Sequence, residues 1–271
     1  MPFVIDINPV LIQLGPVAFR WYSLALIAAV AVAYLIARRG TRRAGIPDAA
    51  LADGVIWVGL AALVGGRVLF EIQNDLPMLA VDPMHAFMVW DGGLSFLGGL
   101  IAALIALVIY ARRNGLPVGI VADVAAPAAA IGQAIGHLGC IVTGDSSGIP
   151  TTLPWAFVYR NPAAMAPRNI ALQPTQAYEA IALVGLFAVL WLGRERLAHL
   201  GAGASAAVYL VAVAVIRFSL FFLRDEASVF AGLKTAQLLS VPIGAVGLLV
   251  LAMLITRRQN TPRLAWWSPK I

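Results

Sequence analysis

The 271-residue chain is 61% hydrophobic and only 12% charged, and its mean hydropathy is +0.87. Soluble domains carry about 45–50% apolar and about 25% charged residues, so this composition favours a membrane protein over a water-soluble one. The formal net charge of +6 does not indicate nucleic-acid binding, because the basic residues form short clusters between apolar runs. The single cysteine, Cys140, excludes an internal disulfide. The sequence shows no metal-ligand cluster and no cofactor motif, so we expect neither a metal nor a cofactor.

Seven apolar stretches predict transmembrane helices, since about 20 mostly apolar residues cross a hydrocarbon core of about 30 Å. They lie at 18–37, 51–73, 94–111, 119–139, 177–193, 203–223 and 236–256. The first residues show neither basic residues ahead of an apolar run nor a small-residue cleavage pattern, so we expect no cleavable signal peptide. The predicted fold class is an all-α integral membrane protein with seven transmembrane helices. It forms a single membrane domain over residues 1–271, with a short head at 140–176 between the fourth and fifth helices.

The distribution of basic residues predicts how the helices are oriented. Twelve lie in the first, third and fifth connections and at the C-terminus: Arg38, Arg39, Arg42, Arg43, Arg112, Arg113, Arg194, Arg196, Arg257, Arg258, Arg263 and Lys270. Five lie on the opposite side: Arg20, Arg160, Arg168, Arg224 and Lys234. Because cytoplasmic loops are the more basic ones, the N-terminus and the 140–176 head are predicted to lie outside the cytoplasm.

Two arginines inside the predicted helices are candidates for either a structural or a functional role. Arg67 stands one helical turn before Glu71, so the two can form a buried ion pair that locks helices together. Arg217 has no acidic residue within four positions. Its partner must therefore lie on another helix or be an anionic ligand, and intramembrane arginines commonly mark functional sites.

Further polar residues lie near the ends of the predicted helices. Glu179 is interpreted as a cap of the fifth helix or as a catalytic group, and Asp123 as a cap. His137 is interpreted as a hydrogen-bonded structural residue, as a base or, when protonated, as a contact for an anion. The glycine-rich segments Trp90–Leu100 and Gly132–Gly148 allow either a close approach to a ligand or close helix packing.

These segments make the chain resemble the bacterial phosphatidylglycerol–prolipoprotein diacylglyceryl transferases, and the resemblance runs along almost the whole sequence. Matching motifs stand in the same order at Gly15–Tyr22, Gly65–Arg67, Trp90–Leu100, Gly136–Cys140, Gly144-Asp145, Pro174–Glu179, Arg217 and Gln237–Pro242. The resemblance implies that a diacylglyceryl group moves from phosphatidylglycerol to the lipobox cysteine thiol of a prolipoprotein. It also implies a multi-pass protein of the bacterial cytoplasmic (inner) membrane, with membrane lipid and no nucleic acid among its partners.

The resemblance also implies which residues form the site. The catalytic residues expected at a site remodelled from the family's are His137, Arg217, Asp91, Glu179 and Tyr22. The resemblance itself implies that Arg217 binds the lipid phosphate through its planar fork of donors and that Tyr22 lines the site. The substrate-binding residues expected from it are Arg67, Gly92, Gly93, Gly98, Gly99, Gly139, Cys140, Asp145 and Tyr178.

Three positions depart from the family pattern. The family's Ser-Phe-His-Gly-Gly reads Ser95–Gly99 with Leu97 at the histidine, its Gly-Arg-x-Gly reads Gly136–Gly139 with a histidine at the arginine, and Gln173 replaces a further histidine. Because leucine cannot take the thiol proton, we expect an impaired or altered transferase activity. The alternative is a non-catalytic membrane protein that binds lipid or lipoprotein precursors. A small-solute transporter is disfavoured, because no pair of spans looks like a repeated, broken helix.

Overall fold

A computed structural model describes residues 2–14, 17–74, 82, 84 and 94–258 of the chain. The chain divides into two compact units, the first made of residues 1–37 and 123–271 and the second of residues 38–122. Each unit is described by itself below. The single membrane domain over residues 1–271 stays a prediction.

A helix occupies each of the seven predicted stretches. The helices are α1 (Trp21–Arg43), α2 (Asp48–Asn74), α3 (Phe96–Arg113), α4 (Val118–Thr143), α5 (Thr175–Leu192), α6 (Arg194–Ala198), α7 (Ala204–Leu220) and α8 (Thr235–Arg258), and a 3₁₀ turn (Phe221–Leu223) follows α7. Within the described ranges, six of them are long and apolar enough to cross a membrane, namely α1, α2, α4, α5, α7 and α8. The chain is therefore a mostly helical multi-pass membrane protein. The crossing by α3, and the orientation, stay predictions.

Five short strands were not expected from the sequence. They are β1 (Phe3–Ile5), β2 (Val10–Leu14), β3 (Val17–Arg20), β4 (Phe157–Tyr159) and β5 (Ala171–Leu172). The head strand β4 pairs in parallel with β1 and antiparallel with β5, while β2 and β3 form a hairpin directly before α1. Strands of two to five residues carry too little alternation to be recognised among apolar segments, which is why the all-α prediction omitted them.

The first unit buries alanines and a few larger apolar side chains between its helices and leaves many large apolar side chains exposed. Its core joins one face each of α4, α5 and α7, formed by Ala126, Ala130, Ala134, Leu183, Leu186, Leu190, Tyr209 and Val213. Outside this core, Ile27, Ile181 and Leu192 are 67%, 71% and 78% exposed. Small residues let membrane helices approach closely, and outward leucines and isoleucines suit a lipid environment.

The second unit is built on a close crossing of α2 and α3. A Cβ atom added at Gly98 would lie 2.2 Å from the carbonyl oxygen of Gly65, and one added at Gly65 would lie 2.3 Å from Cβ of Ala102. These glycines are therefore required by helix packing, the alternative left open for the glycine-rich segment. In the same unit, the Arg67 guanidinium contacts the Glu71 carboxylate at 2.6 Å, and both side chains are buried.

Asp123 caps a helix, as predicted, but the helix is not its own. Its Oδ2 atom accepts a hydrogen bond from the Gly203 amide at 2.8 Å, and Oδ1 accepts one from the Ala206 amide at 2.9 Å. These amides belong to the start of α7, where backbone N–H groups lack partners within the helix. Asp123 is completely buried, so the two bonds join α4 to the beginning of α7.

Candidate functional site

A buried ionic cluster joins three parts of the first unit. His137 on α4 donates a hydrogen bond from Nε2 to Oε2 of Glu179 on α5 at 2.7 Å. The guanidinium of Arg224, just after the 3₁₀ turn, donates to the same oxygen at 3.1 Å. The side chains of Glu179, Arg224 and His137 are 2%, 8% and 12% exposed. One carboxylate therefore joins a histidine and an arginine in a largely water-excluded place.

The backbone around Arg224 is fixed by the head segment. Gly148 and Arg224 form an isolated antiparallel bridge, and the Ile149 amide donates to the Leu223 carbonyl at 2.9 Å. A Cβ atom at position 148 would lie 2.5 Å from that same carbonyl oxygen, so only glycine fits there. The Lys234 ammonium also donates to the carbonyl of Arg224. These contacts fix the position from which Arg224 reaches Glu179.

Arg217 lies seven residues before Arg224, on the last turns of α7. Its guanidinium carbon is 5.9 Å from the centroid of the Phe221 ring, and that of Arg224 is 4.7 Å from the same centroid. Arg217 also interacts electrostatically with Glu179. Two cations therefore lie near one aromatic ring, and both interact electrostatically with the carboxylate of Glu179.

The end of α4 adds a thiol and a carboxyl group to the same unit, and α1 adds a phenol. Cys140 stands one helical turn after His137, and its Sγ atom donates to Oδ2 of Asp145 at 3.9 Å. Tyr22 on α1 interacts electrostatically with both Cys140 and Asp145. A Cβ atom at Gly139 would lie 2.8 Å from Cβ of Ala25, so glycine lets α1 and α4 touch at this level.

The turn after α4 is held by the first residues of α5. Thr175 donates from its hydroxyl to the carbonyl of Ser146 at 2.7 Å, and Gln176 donates from its amide to the carbonyl of Asp145 at 2.7 Å. Thr175 and Gln176 are completely buried. Burial raises the pKa of Tyr159 in the head, and its hydroxyl donates to the carbonyl of Ile141 at 3.0 Å, so this phenol stays neutral and structural.

Tyr178 and Gln173 belong to a chain of hydrogen bonds. Trp155 donates from Nε1 to the hydroxyl of Tyr178 at 2.7 Å, and that hydroxyl donates to Oε1 of Gln173 at 3.1 Å. The Gln173 amide donates in turn to the Thr151 hydroxyl at 3.2 Å. The glutamine at the family's histidine position therefore has a structural role between α5 and the head.

The structure brings together part of the predicted site. His137, Glu179 and Arg217 converge in the first unit, which also contains the predicted site residues Tyr22, Gly139, Cys140, Asp145 and Tyr178. Glu179 does not cap α5, because its carboxylate binds His137 on α4 and Arg224 after the 3₁₀ turn. Arg67, Gly98 and Gly99 belong to the second unit, with contacts of their own. Asp91, Gly92 and Gly93 lie outside the described residues, as does the side chain of Leu97.

The sequence reasoning missed Arg224, which it assigned to a loop. A usable signal was present, because Arg217 and Arg224 are two helical turns apart and so share a helix face if the helix continues. No group of three or more His, Cys, Asp and Glu residues suited to a metal ion occurs in the described ranges. The site offers a carboxylate, an imidazole and two guanidinium groups, which suits proton transfer beside an anionic group.

Comparison with known proteins identifies the family. The family model for prolipoprotein diacylglyceryl transferase matches residues 9–253. The chain belongs to the prolipoprotein diacylglyceryl transferase family. A phosphatidylglycerol–prolipoprotein diacylglyceryl transferase of Chromohalobacter salexigens is 34% identical to it over 249 residues, which is 90% of this chain and 91% of the relative.

Other members of the prolipoprotein diacylglyceryl transferase family are similar over comparable lengths. Enzymes with the same name from Methylococcus capsulatus and Geobacter sulfurreducens are 32% and 34% identical, over 93% and 94% of this chain and 97% and 98% of the relatives. The match from residue 9 to residue 253 includes every member of the ionic cluster. The family membership therefore applies to the part of the chain that contains the candidate site.

Proposed function

We propose that this chain transfers the diacylglyceryl group of phosphatidylglycerol to the lipobox cysteine of a prolipoprotein. Membership of the transferase family over residues 9–253 supports the reaction. The buried cluster of His137, Glu179 and Arg224, with Arg217 beside it, is the observation that supports this location for the reaction. The host membrane is the bacterial cytoplasmic membrane, where an exported precursor and phosphatidylglycerol can meet.

The chemistry of the transfer defines what the site must supply. The thiol sulfur attacks the glycerol carbon that carries the phosphate, a C–S bond forms, and the C–O bond breaks. The bonding electron pair leaves with glycerol phosphate, while the thiol proton goes to a base. A base near the thiol and cations near the phosphate lower the barrier, because both stabilise the charge that develops.

Arg217 is our choice for the group that binds the lipid phosphate. A guanidinium has five N–H donors in a fixed fork, so it can bind phosphate oxygens beside its existing contacts. Its position over the Phe221 ring, in the field of Glu179, supports this role because the guanidinium is already ordered. Tyr22, Asp145 and Tyr178 contribute to the walls of the site in this proposal.

Transfer is tested with the purified chain in bilayers that contain phosphatidylglycerol. A lipobox peptide should gain the mass of one diacylglyceryl group on its cysteine, and glycerol phosphate should appear in equal amount. The matched control is a peptide with serine in place of the cysteine, which should gain no mass. Binding of lipid and peptide without any mass gain would contradict the proposal and favour the non-catalytic alternative.

We also propose that the N-terminus and the head face outside the cytoplasm and that the C-terminus faces the cytoplasm. The twelve-to-five distribution of basic residues supports this orientation. The experiment uses single cysteines at Ser146 and Arg258 in a Cys140→Ser background. An impermeant thiol reagent added from outside should label the first position only, and labelling of the second would overturn the orientation.

A further inference from the structure

We infer that His137 is the general base of the transfer and that its Nδ1 atom takes the proton of the incoming thiol. Glu179 is then a positioning residue that acts through His137. This inference rests on the proposed function, because it assigns one step of that reaction to one atom.

The hydrogen bond to Glu179 decides which nitrogen of His137 carries the proton. Nε2 lies 2.7 Å from Oε2 of Glu179, and the same oxygen accepts from Arg224 at 3.1 Å. A carboxylate paired with a guanidinium can only accept hydrogen bonds, so Nε2 must donate. In the neutral imidazole the lone pair that can accept a proton is then on Nδ1.

The Nδ1 atom of His137 is available for this role. Nδ1 is buried and has no hydrogen-bond partner among the residues that the structure describes. A buried acceptor left without a partner is unfavourable, and this cost is removed when a substrate donates a hydrogen bond to it. A thiol that enters beside α4 would supply such a donor, because the S–H group is a weak donor that needs an acceptor.

The charged and titratable groups near His137 are poorer bases or lack the needed geometry. Those linked to Glu179, Arg224, Arg217 or Cys140 by ion pairing or electrostatic interaction come from several elements: Glu179 from α5, Arg217 from α7, Arg224 and Glu226 after the 3₁₀ turn, Cys140 and Asp145 from the end of α4, and Tyr22 from α1. Glu179 shares its Oε2 atom between two donors and has an Oε1 atom that is unpartnered within the described residues, but a carboxylate is a weaker base than a neutral imidazole. Asp145 accepts from the Cys140 thiol.

The step balances with the groups that the site and substrates supply. The lipobox sulfur gives its proton to Nδ1 as the C–S bond forms, and the C–O electron pair leaves on the glycerol phosphate. Glu179 stabilises the imidazolium through the bond at Nε2. The imidazolium then gives its proton to the departing glycerol phosphate, so neutral His137 is restored.

The test compares two peptides that differ in one atom. In His137→Gln the amide can still donate to Glu179, but no base remains. Transfer to the cysteine peptide should fall about 100- to 10,000-fold, the usual contribution of a general base. Transfer to a selenocysteine peptide should fall less than about tenfold, because a selenol is ionised near neutral pH and needs no base. The remaining rate on the cysteine peptide should rise with pH toward the thiol pKa of about 8.5.

Glu179 and Glu226 both pair with Arg224. Matched variants at these two acids show whether Glu179 acts by positioning His137 or only by adding negative charge near Arg224. Glu179→Gln should lower transfer to the cysteine peptide and spare the selenocysteine peptide. Glu226→Gln also removes a carboxylate that contacts Arg224, at 3.5 Å, but it should leave both rates unchanged. Phosphatidylglycerol binding, measured in parallel, should stay the same in His137→Gln.

The outcomes distinguish this inference from the proposed function. If the wild-type chain modifies neither peptide, the proposed function fails. If the wild type is active and His137→Gln modifies the cysteine peptide equally fast, His137 is not the base. Equal losses on both peptides would also overturn the inference, since they would indicate a role in lipid binding or folding. Loss of cysteine transfer in Asp145→Asn but not in His137→Gln would assign the proton to Asp145.

Discussion

Two buried acid–arginine pairs of the same chemistry occur in the described residues, and they are built in different ways. Arg67 and Glu71 stand one turn apart on α2, with 2.6 Å between guanidinium and carboxylate. Glu179 and Arg224 are 45 residues apart in sequence and meet only because α5 and the segment after α7 converge. The second pair also includes a histidine, and the first does not.

The difference indicates what each pair is for. A pair at positions i and i+4 forms as soon as its helix does. The two charges then neutralise each other within the helix and need no partner on another element. A pair that depends on tertiary contacts is ordered only in the complete fold, where a substrate can meet it. We therefore expect the pair on α2 to serve stability and the cluster at Glu179 to serve the reaction.

The largest expected effect comes from replacing the Glu179–Arg224 pair by apolar residues, with the same replacement of the Arg67–Glu71 pair as the control. Removing both charges of a buried pair is often close to neutral for stability, so both double variants should fold. Glu179→Leu with Arg224→Met should lower transfer more than about 1,000-fold, because the base loses its orientation and the site its charge. Arg67→Met with Glu71→Leu should keep the rate within about threefold. An equal loss in the α2 variant, measured by peptide mass gain, would remove the distinction between the pairs.

A smaller effect is expected when Arg217 is truncated. Hydrogen bonds to a charged group contribute about 1.5–3 kcal/mol, so Arg217→Ala should weaken phosphatidylglycerol binding about ten- to hundredfold. Arg160 is an exposed arginine of the head, and Arg160→Ala is the control that should change nothing. Lipid titration into the detergent-solubilised variants measures both. Unchanged binding in Arg217→Ala would show that this arginine does not hold the phosphate.

The smallest effect concerns Asp123, a buried acid that pairs with backbone amides. Asp123→Ala removes two bonds to the start of α7, so the free energy of unfolding should fall by about 1–2 kcal/mol. Transfer at 25 °C should persist, because the cap is not part of the reacting cluster. Asp123→Asn keeps one acceptor oxygen and should lose less. Denaturant unfolding in detergent gives the stability, and a loss of transfer without a loss of stability would give Asp123 a functional role.

The positions of the helices could be predicted from the sequence, because a long apolar run in lipid has few alternatives to a helix. The ends were less predictable. The sequence predicts that Arg224 lies in a charged turn before Asp225 and Glu226. In the structure its side chain is buried, and its backbone forms a bridge with Gly148. That bridge joins segments about 75 residues apart in sequence, and no local sequence pattern predicts such a pairing.

The sequence was enough to predict several residues of the candidate site, but not the contacts between them. Arg217, Glu179 and His137 stood out because lipid disfavours polar groups. The bond between His137 and Glu179 depends on how far α4 and α5 are shifted and rotated against each other, which side-chain packing sets. The same limit applies to Asp123, where the capping role was foreseen but the start of α7 as its target was not.

Because β1 pairs with β4, the sheet that contains β1 can form only after β4 has been synthesised. Phe3 pairs with Phe157, so β1 has no partner in this sheet until the described helices α1 to α4 have been synthesised after it. At about 5–20 residues per second, the roughly 150 residues between them correspond to a wait of roughly 8–30 seconds. During that time the N-terminal segment exposes an unpaired strand edge, which invites association with other chains. Protection of residues 3–5 during this interval should therefore raise the yield of folded protein.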